Sequence, residues 1–187
     1  MKNIIITGGL GYIGRELCKI YSGVSWNNKI TVIDNRFLSK SVNQLRNWNI
    51  EFVHGDILNK DLINKYLKNA DVVHHLAGIT DVPRVKSESS DEKNKLIKLV
   101  AEVGTQNILD AIGDNCKIIV PSTHVVYEGI DKVKNNILEE EETKPILSYA
   151  LSKDINETQL KNSKKKYIIL RLGSVYGYST DAMRIDI

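Results

Sequence analysis

Short apolar runs recur along the chain, and each is followed by a stretch with helical spacing. Residues 2–7 (KNIIIT) are the first run. Their apolar residues are consecutive rather than alternating, as suits a strand buried on both faces. The run ends in Gly8-Gly9, and residues 11–21 then carry Ile13, Leu17 and Ile20 at helical spacing. A second strand is expected over 29–34 (KITVID), a helix around 42–48, and a third strand over 50–54 (IEFVH). Residues 59–67 place Leu62, Ile63, Tyr66 and Leu67 on one helical stripe, and 71–77 (DVVHHLA) is the fourth strand. One long helix is expected over 91–112, its inner face marked by Leu96, Leu99, Val100, Val103, Asn107 and Ile108. The pattern closes with a fifth strand over 117–122 (KIIVPS), a helix over 148–161 and a sixth strand over 167–172 (YIILRL).

Strands that alternate with helices form right-handed βαβ units, so the fold class is α/β, a Rossmann-type doubly wound parallel sheet with helices on both faces. In such a sheet ligands bind at the carboxyl ends of the strands, where the strand order reverses. Every motif that carries chemistry here follows directly on a strand, so all of them are expected on that one edge.

Composition narrows the partners. The 187 residues suit one domain, and 42% apolar content supports a packed core. A net charge of +3 is too small to imply nucleic acid. No apolar stretch approaches the length of a membrane span, and Met1 runs straight into a strand with no signal peptide, so a cytoplasmic protein is expected. Cys18 and Cys116 form no metal-binding or disulfide pattern. No metal site is expected either, and the acidic run at 139–142 reads as a solvated loop. Lys164, Lys165 and Lys166 read as a helix end rather than a phosphate patch. His74 and His75 read as core or edge residues, 128–144 as a surface excursion, and 81–92 as a loop near the ligand edge.

The loop after the first strand, Thr7-Gly8-Gly9-Leu10-Gly11-Tyr12-Ile13-Gly14, opens a helix. Gly8 permits the sharp turn, Gly11 lets the backbone approach a pyrophosphate, and Gly14 allows close helix–sheet packing. The helix N-terminus then offers free N–H groups to phosphates. Asp34 ends the second strand twenty residues after Gly14, where an acid accepts the hydroxyls of a ribose and repels a 2′-phosphate. NAD is therefore favoured over NADP, although Arg36 stands close enough to pair with a phosphate. A plain strand-end turn at Asp34-Asn35 is the bland alternative. Tyr149 and Lys153 lie four apart on one helix face, and a lysine ammonium near a phenol favours the phenolate. A single such pair can arise by chance, yet none of the other seven tyrosines has a lysine four residues on.

With these residues together, the chain resembles the extended short-chain dehydrogenase/reductase family, especially its nucleotide-sugar epimerases. The resemblance runs from Lys2 to Gly177, through the glycine loop, Asp34-Asn35, Gly55-Asp56-Ile57 and His75-Leu76-Ala77-Gly78. It continues through Gly104-Thr105-Gln106-Asn107, the Pro121-to-Tyr127 segment, Tyr149-Ala150-Leu151-Ser152-Lys153 and Arg171-Leu172-Gly173-Ser174-Val175-Tyr176-Gly177. It implies NAD as cofactor, held by Gly8, Gly11, Tyr12, Ile13, Gly14, Asp34 and Asn35. Asp56 and Ile57 would contact the adenine, Leu76, Ala77 and Gly78 would line the cofactor near its phosphates, and Lys153 would hold the nicotinamide ribose. Thr123 would donate a hydrogen bond to the reacting oxygen, Tyr149 would be the acid/base, and hydride would pass between a sugar carbon and the nicotinamide. A nucleotide sugar is the implied substrate, and a homodimer through the helices at 91–112 and 148–161 the implied assembly.

The chain also departs from that family. His124 and Val125 stand where the dehydratases and decarboxylases carry acids, which ranks those chemistries below epimerisation or simple oxidation and reduction. Ala101 replaces a supporting Asn, Ser174 another Asn, and Tyr178 a Pro. The expected organisation is one NAD-binding domain over 1–187 without the family's C-terminal substrate lobe. A non-catalytic NAD-binding module is the alternative reading, and an apolar-substrate reductase a third.

Overall fold

A computed structural model of the chain describes residues 1–24, 27–80, 90–130 and 135–177. Its strands are β1 Asn3–Thr7, β2 Lys29–Asp34, β3 Glu51–His54, β4 Val72–His75, β5 Lys117–Thr123 and β6 Lys166–Leu172. All pair in parallel, in the order β3-β2-β1-β4-β5-β6. The order reverses between β1 and β4, so the crevice of a doubly wound sheet opens above Thr7 and His75, which are register partners. The helices are α1 Tyr12–Gly23, α2 Ser39–Asn47, α3 Lys60–Leu67, α4 Asp91–Leu99, α5 Thr105–Ala111 and α6 Ser148–Asn162.

The consecutive isoleucines of β1 serve two cores. Ile4 and Ile6 pack with Cys18 of α1 and with Val42 and Leu45 of α2. Ile5, on the other face, packs with Ile63 and Leu67 of α3, Ile108 of α5 and Leu160 of α6. Side chains alternate faces along a strand, so a strand covered on both sides must be apolar at every position. Each such isoleucine contributes about 1.5–3 kcal/mol by leaving water. Helix starts are fixed locally. Asn59 accepts from the Leu62 N–H (3.1 Å) at the head of α3, and Ser90 accepts from the Lys93 N–H (3.3 Å) at the head of α4.

The expected single helix over 91–112 is interrupted. A π-helical turn, Val100–Gly104, lies between α4 and α5. Its extra residue offsets the two helical stripes, so a period drawn through the whole segment loses phase. Ile97, Ala101, Thr105, Asn107 and Ile108 are buried, whereas Leu96, Leu99 and Val103 are 49%, 44% and 41% exposed. The inner-face assignment thus holds for Val100, Asn107 and Ile108 and fails for those three. Gly104 lets Ile57 pack closely at the turn, because a Cβ there would lie 2.4 Å from Ile57 Cδ1 and that side chain would have to shift.

The basic run lies just past the end of α6. Lys165 Nζ donates to the Ile112 carbonyl (2.9 Å) and to Asp114 (2.7 Å), and Lys166 to Asn115 (3.1 Å), so both tie β6 to the loop before β5. The surface excursion after β5 is pinned at its base. Lys144 N donates to the Val126 carbonyl, Gly129 N donates to the Lys144 carbonyl, and Glu128 Oε1 accepts from Ile146 N and Leu147 N at 2.6 Å each, just before α6. The loop expected over 81–92 lies largely outside the described residues, as does Tyr178.

Candidate active site

A cleft of about 860 Å³ runs along the carboxyl edge of the sheet, within the size range of ligand pockets. The glycine loop forms its floor. Gly8 has φ +70°, and a Cβ there would sit 2.6 Å from the Ala77 nitrogen, so only glycine fits this turn beside β4. Gly14 is equally constrained, since its Cβ would meet Gly9 Cα at 2.6 Å, which lets α1 press against the loop. Gly11 differs. Its φ of −72° is open to any residue, and a Cβ there would meet only the Gly8 carbonyl oxygen closely, at 3.1 Å, so a side chain costs the loop a small shift and would stand over the ligand side. Gly11 precedes α1 and supplies no side-chain cap, which leaves the first N–H groups of the helix to a ligand. Tyr12 and Ile13 line the same wall, and the Tyr12 hydroxyl donates to the Gly177 carbonyl across the cleft (2.8 Å).

At one end stands Asp34, buried at the tip of β2. It is held by the Leu10 N–H (2.9 Å) from the loop and the Arg36 N–H (3.0 Å). The Arg36 guanidinium adds Nε to Oδ1 and Nη2 to Oδ2, both at 3.0 Å. Asn35 donates to Asp56 (3.0 Å), and Asp56 accepts from Leu58 N (2.9 Å), which fixes the turn after β3. Asn107 of α5 donates to the Ile57 carbonyl (3.0 Å), so α5 sets the height of Ile57. Leu76, Ala77 and Gly78 line the middle of the cleft.

At the other end are Thr123, Tyr149 and Lys153, on the same cleft wall. Thr123 Oγ1 accepts from Val125 N (3.2 Å) at the start of the 3-10 turn His124–Tyr127, which leaves its own O–H to donate. Lys153 is 7% exposed, and its Nζ lies 5.9 Å from the centre of the Tyr149 ring. It takes part in none of the ion pairs found among the described residues. Burial lowers its ammonium to about 8. The residues expected to hold the cofactor and those expected to act on the substrate therefore border one space. His124 and Val125 border it too, with His124 Nδ1 3.2 Å from the Leu172 carbonyl.

This constellation can be set against known proteins. Residues 4–186 match the family described as the NAD dependent epimerase/dehydratase family. The chain belongs to that family. Among curated members it is 34% identical to the CDP-paratose 2-epimerase of Salmonella typhi, over 71% of this chain and 40% of that one. It is 29% identical to the dTDP-D-glucose 4,6-dehydratase of Dictyostelium discoideum, over 95% of this chain and 44% of that one. The crystal structure of UDP-glucuronic acid 4-epimerase from Bacillus cereus in complex with NAD superposes with a TM-score of 0.76 at 26% identity. That superposition covers 94% of this chain and 57% of the epimerase. This family member thus spans about half the length of the relatives it matches.

Two buried networks behind the site escape a motif reading. Thr7 Oγ1 and His75 Nδ1 share a hydrogen bond (2.9 Å), as do His75 Nε2 and Thr105 Oγ1 (3.0 Å). Asn156 of α6 donates to Thr105 Oγ1 (2.8 Å) and to the Ala101 carbonyl (3.0 Å). Ala101 has no polar side chain, and the π-helical turn is instead held by Asn156. Burial, and then the Lys153 charge, push the His75 imidazole down to about 3, so it stays neutral within this chain of bonds. The expectation that His74 and His75 are core residues holds, with His74 Nε2 bonded to the Tyr21 hydroxyl (2.7 Å). In the second network Glu157 of α6 accepts from Ser122 (2.6 Å) and from Arg171 Nε (2.9 Å) and Nη2 (2.6 Å). Arg171 also donates to the Tyr127 hydroxyl. Burial alone would raise the Glu157 carboxyl, but the hydrogen bonds from Arg171 and Ser122, with the Arg171 charge, hold it below the usual range. The sequence signal is weak: His75 interrupts an apolar strand, but the buried face of α6 is itself largely polar, with Ser152, Lys153, Asn156 and Glu157, so Asn156 and Glu157 do not stand out.

Proposed function

We propose that this chain is the cofactor-binding half of an NAD-dependent nucleotide-sugar epimerase or a related oxidoreductase. The observation that carries this reading is the meeting of the glycine loop, Asp34 and the Thr123, Tyr149 and Lys153 side chains around one cleft. The cradle fits a dinucleotide, since the three glycines leave backbone where a Cβ would stand and the first turn of α1 faces the gap. Its relatives' names speak of sugar nucleotides, and the Bacillus cereus structure contains NAD.

In this reading the α1 amides hold the pyrophosphate, Asp34 accepts the adenosine ribose hydroxyls, and Asn35, Asp56 and Ile57 border the adenine. Gly8, Gly14, Tyr12 and Ile13 shape the phosphate wall, and Leu76, Ala77 and Gly78 line the stretch between the ends. Bound NAD supplies a ring carbon that accepts and returns a hydride. Lys153 holds the second ribose, and its ammonium, mostly charged at neutral pH, favours the Tyr149 phenolate. Tyr149 then takes the proton of the substrate hydroxyl as hydride leaves its carbon, and returns it in the reverse step. Thr123 donates to the same substrate oxygen. His124 and Val125 offer no carboxylate beside Thr123, which favours epimerisation or oxidation over dehydration.

A second copy of the chain is the proposed partner, supported by exposed Leu99 and Val103 on the 91–112 segment and exposed Leu151 on α6, which packs beside α4. The free, buried state of Cys18 and Cys116 suits a reducing, cytoplasmic setting. Among the described residues no helix is long and apolar enough to cross a membrane.

Calorimetry with NAD tests the cofactor reading. The chain binds NAD, and Gly11→Leu, whose backbone angles tolerate a side chain, keeps its circular dichroism but loses at least about tenfold in affinity. Equal NAD affinity in both proteins removes the phosphate-loop assignment. NAD binding without any hydride exchange on a panel of UDP-, dTDP- and CDP-sugars points to the non-catalytic module.

A further inference from the structure

Asp34 is the residue on which the cofactor reading turns, and its carboxylate is already engaged. A carboxylate offers about four lone-pair directions. Four donors reach the Asp34 oxygens: Leu10 N, Arg36 N, Arg36 Nε and Arg36 Nη2, at 2.9–3.0 Å. Two of these are backbone groups that define the loop. The other two are the fork of one guanidinium, on a side chain that is 36% exposed while the acid is 2% exposed. The same Nη2 lies only 3.7 Å from where a Cβ of Gly11 would be, so the guanidinium reaches over the phosphate loop. Arg36 therefore borders the cleft, between Asp34 and the glycine loop.

We propose that Arg36 sets cofactor choice by competing with the ribose diol for Asp34. The inference rests on the cofactor reading above. Two ribose hydroxyls that donate to Asp34 need the lone pairs that Nε and Nη2 occupy, so the diol binds as the guanidinium leaves. The exchange replaces a two-point charged contact with two neutral donors, which weakens the diol's net gain. The displaced guanidinium stays tethered two residues from Asp34, beside the 2′ position. A phosphate there meets a cation with a matching fork instead of a bare carboxylate. Arg36 thus weakens the unphosphorylated ligand and rescues the phosphorylated one. The carboxylate at Asp34, read by itself, predicts strict exclusion of a 2′-phosphate, whereas the Asp34–Arg36 pair predicts tolerance.

The test is calorimetry on the intact chain with ADP-ribose and 2′-phospho-ADP-ribose, for wild type, Arg36→Ala and Arg36→Lys. Arg36→Ala is expected to bind ADP-ribose about three- to tenfold more tightly, as the loss of a half-exposed ion pair allows. The same variant is expected to lose about tenfold or more for 2′-phospho-ADP-ribose, the scale of a charge-assisted phosphate contact. Arg36→Lys lacks the two-point fork and keeps the charge, so it also tightens ADP-ribose but retains most of its affinity for the 2′-phospho ligand. Opposite signs for the two ligands in Arg36→Ala support the inference, because a merely structural role shifts both the same way. Parallel changes, or none, in a chain that binds ADP-ribose overturn it and leave the cofactor reading standing. A wild-type chain that binds neither ligand overturns the cofactor reading and this inference together.

Discussion

At the scale of single residues, Lys153 shows how the site trades stability for chemistry. Its ammonium is buried and its value falls from 10.5 to about 8, a difference of about 3 kcal/mol against the charged form in the fold. Folding is weakened below pH 8, where the folded chain must hold the charge. Stability is regained as the pH climbs from about 8 to 10.5, because there the unfolded chain binds more protons than the folded one. Lys153→Met should therefore raise the unfolding free energy at pH 7 by about 1–3 kcal/mol in urea titrations and lose that advantage near pH 10.5. A variant that is less stable at pH 7 would show that Lys153 is satisfied by contacts that compensate its burial. Legibility at this scale followed chemistry. Gly8, Asp34, Tyr149 and Lys153 stand out in the sequence because type and spacing together restrict what they can do. The fork of Arg36 on Asp34 does not stand out, since an arginine two residues past a strand has many geometries open to it and only the fold selects one.

Between elements, the strands were legible to within a few residues, β1, β2 and β4 because burial on both faces leaves an unbroken apolar run, and β6 because its run is equally apolar although one face stays exposed. The π-helical turn was not, since Val100–Gly104 contains no residue type that demands a π turn, and the contacts it makes are with distant segments: Gly104 against Ile57 and Asn156 on the Ala101 carbonyl. The polar links that set α6 against the sheet were equally hidden. Glu157 is almost fully buried and carries β5 through Ser122 and β6 through Arg171, two strands whose ends frame Thr123 and the VYG segment. Removing one partner of such a pair leaves a buried charge without its counterpart. Glu157→Ala should cost about 3–5 kcal/mol in chemical denaturation, with the Arg171 charge left without a carboxylate and held only by the Tyr127 hydroxyl and the Glu139 carbonyl. Paired replacement of Glu157 and Arg171 by Leu and Met should recover a large part of that loss, and a double variant as unstable as the single one would refute the pairing argument.

For the molecule as a whole, assembly is the open quantity. Leu99, Val103 and Leu151 are exposed at 41–44%, and these are the apolar side chains that the second copy proposed above would cover. Sedimentation should give a mass that doubles with concentration, and Leu99→Glu combined with Leu151→Glu should hold the chain at the mass of one copy. A wild-type protein that stays single at every concentration would remove the second copy as partner. A different feature constrains the chain from the opposite side. β6 closes the sheet with a row of backbone groups that face no neighbouring strand among the described residues, and its Ile168 and Leu170, in register with Ile119 and Pro121 of β5, are 39% and 44% exposed. Greasy side chains beside an unzipped margin make a template for further β-pairing. Concentrated or warmed samples of this polypeptide should clump from that margin first, so its shelf life would depend on how that border is shielded.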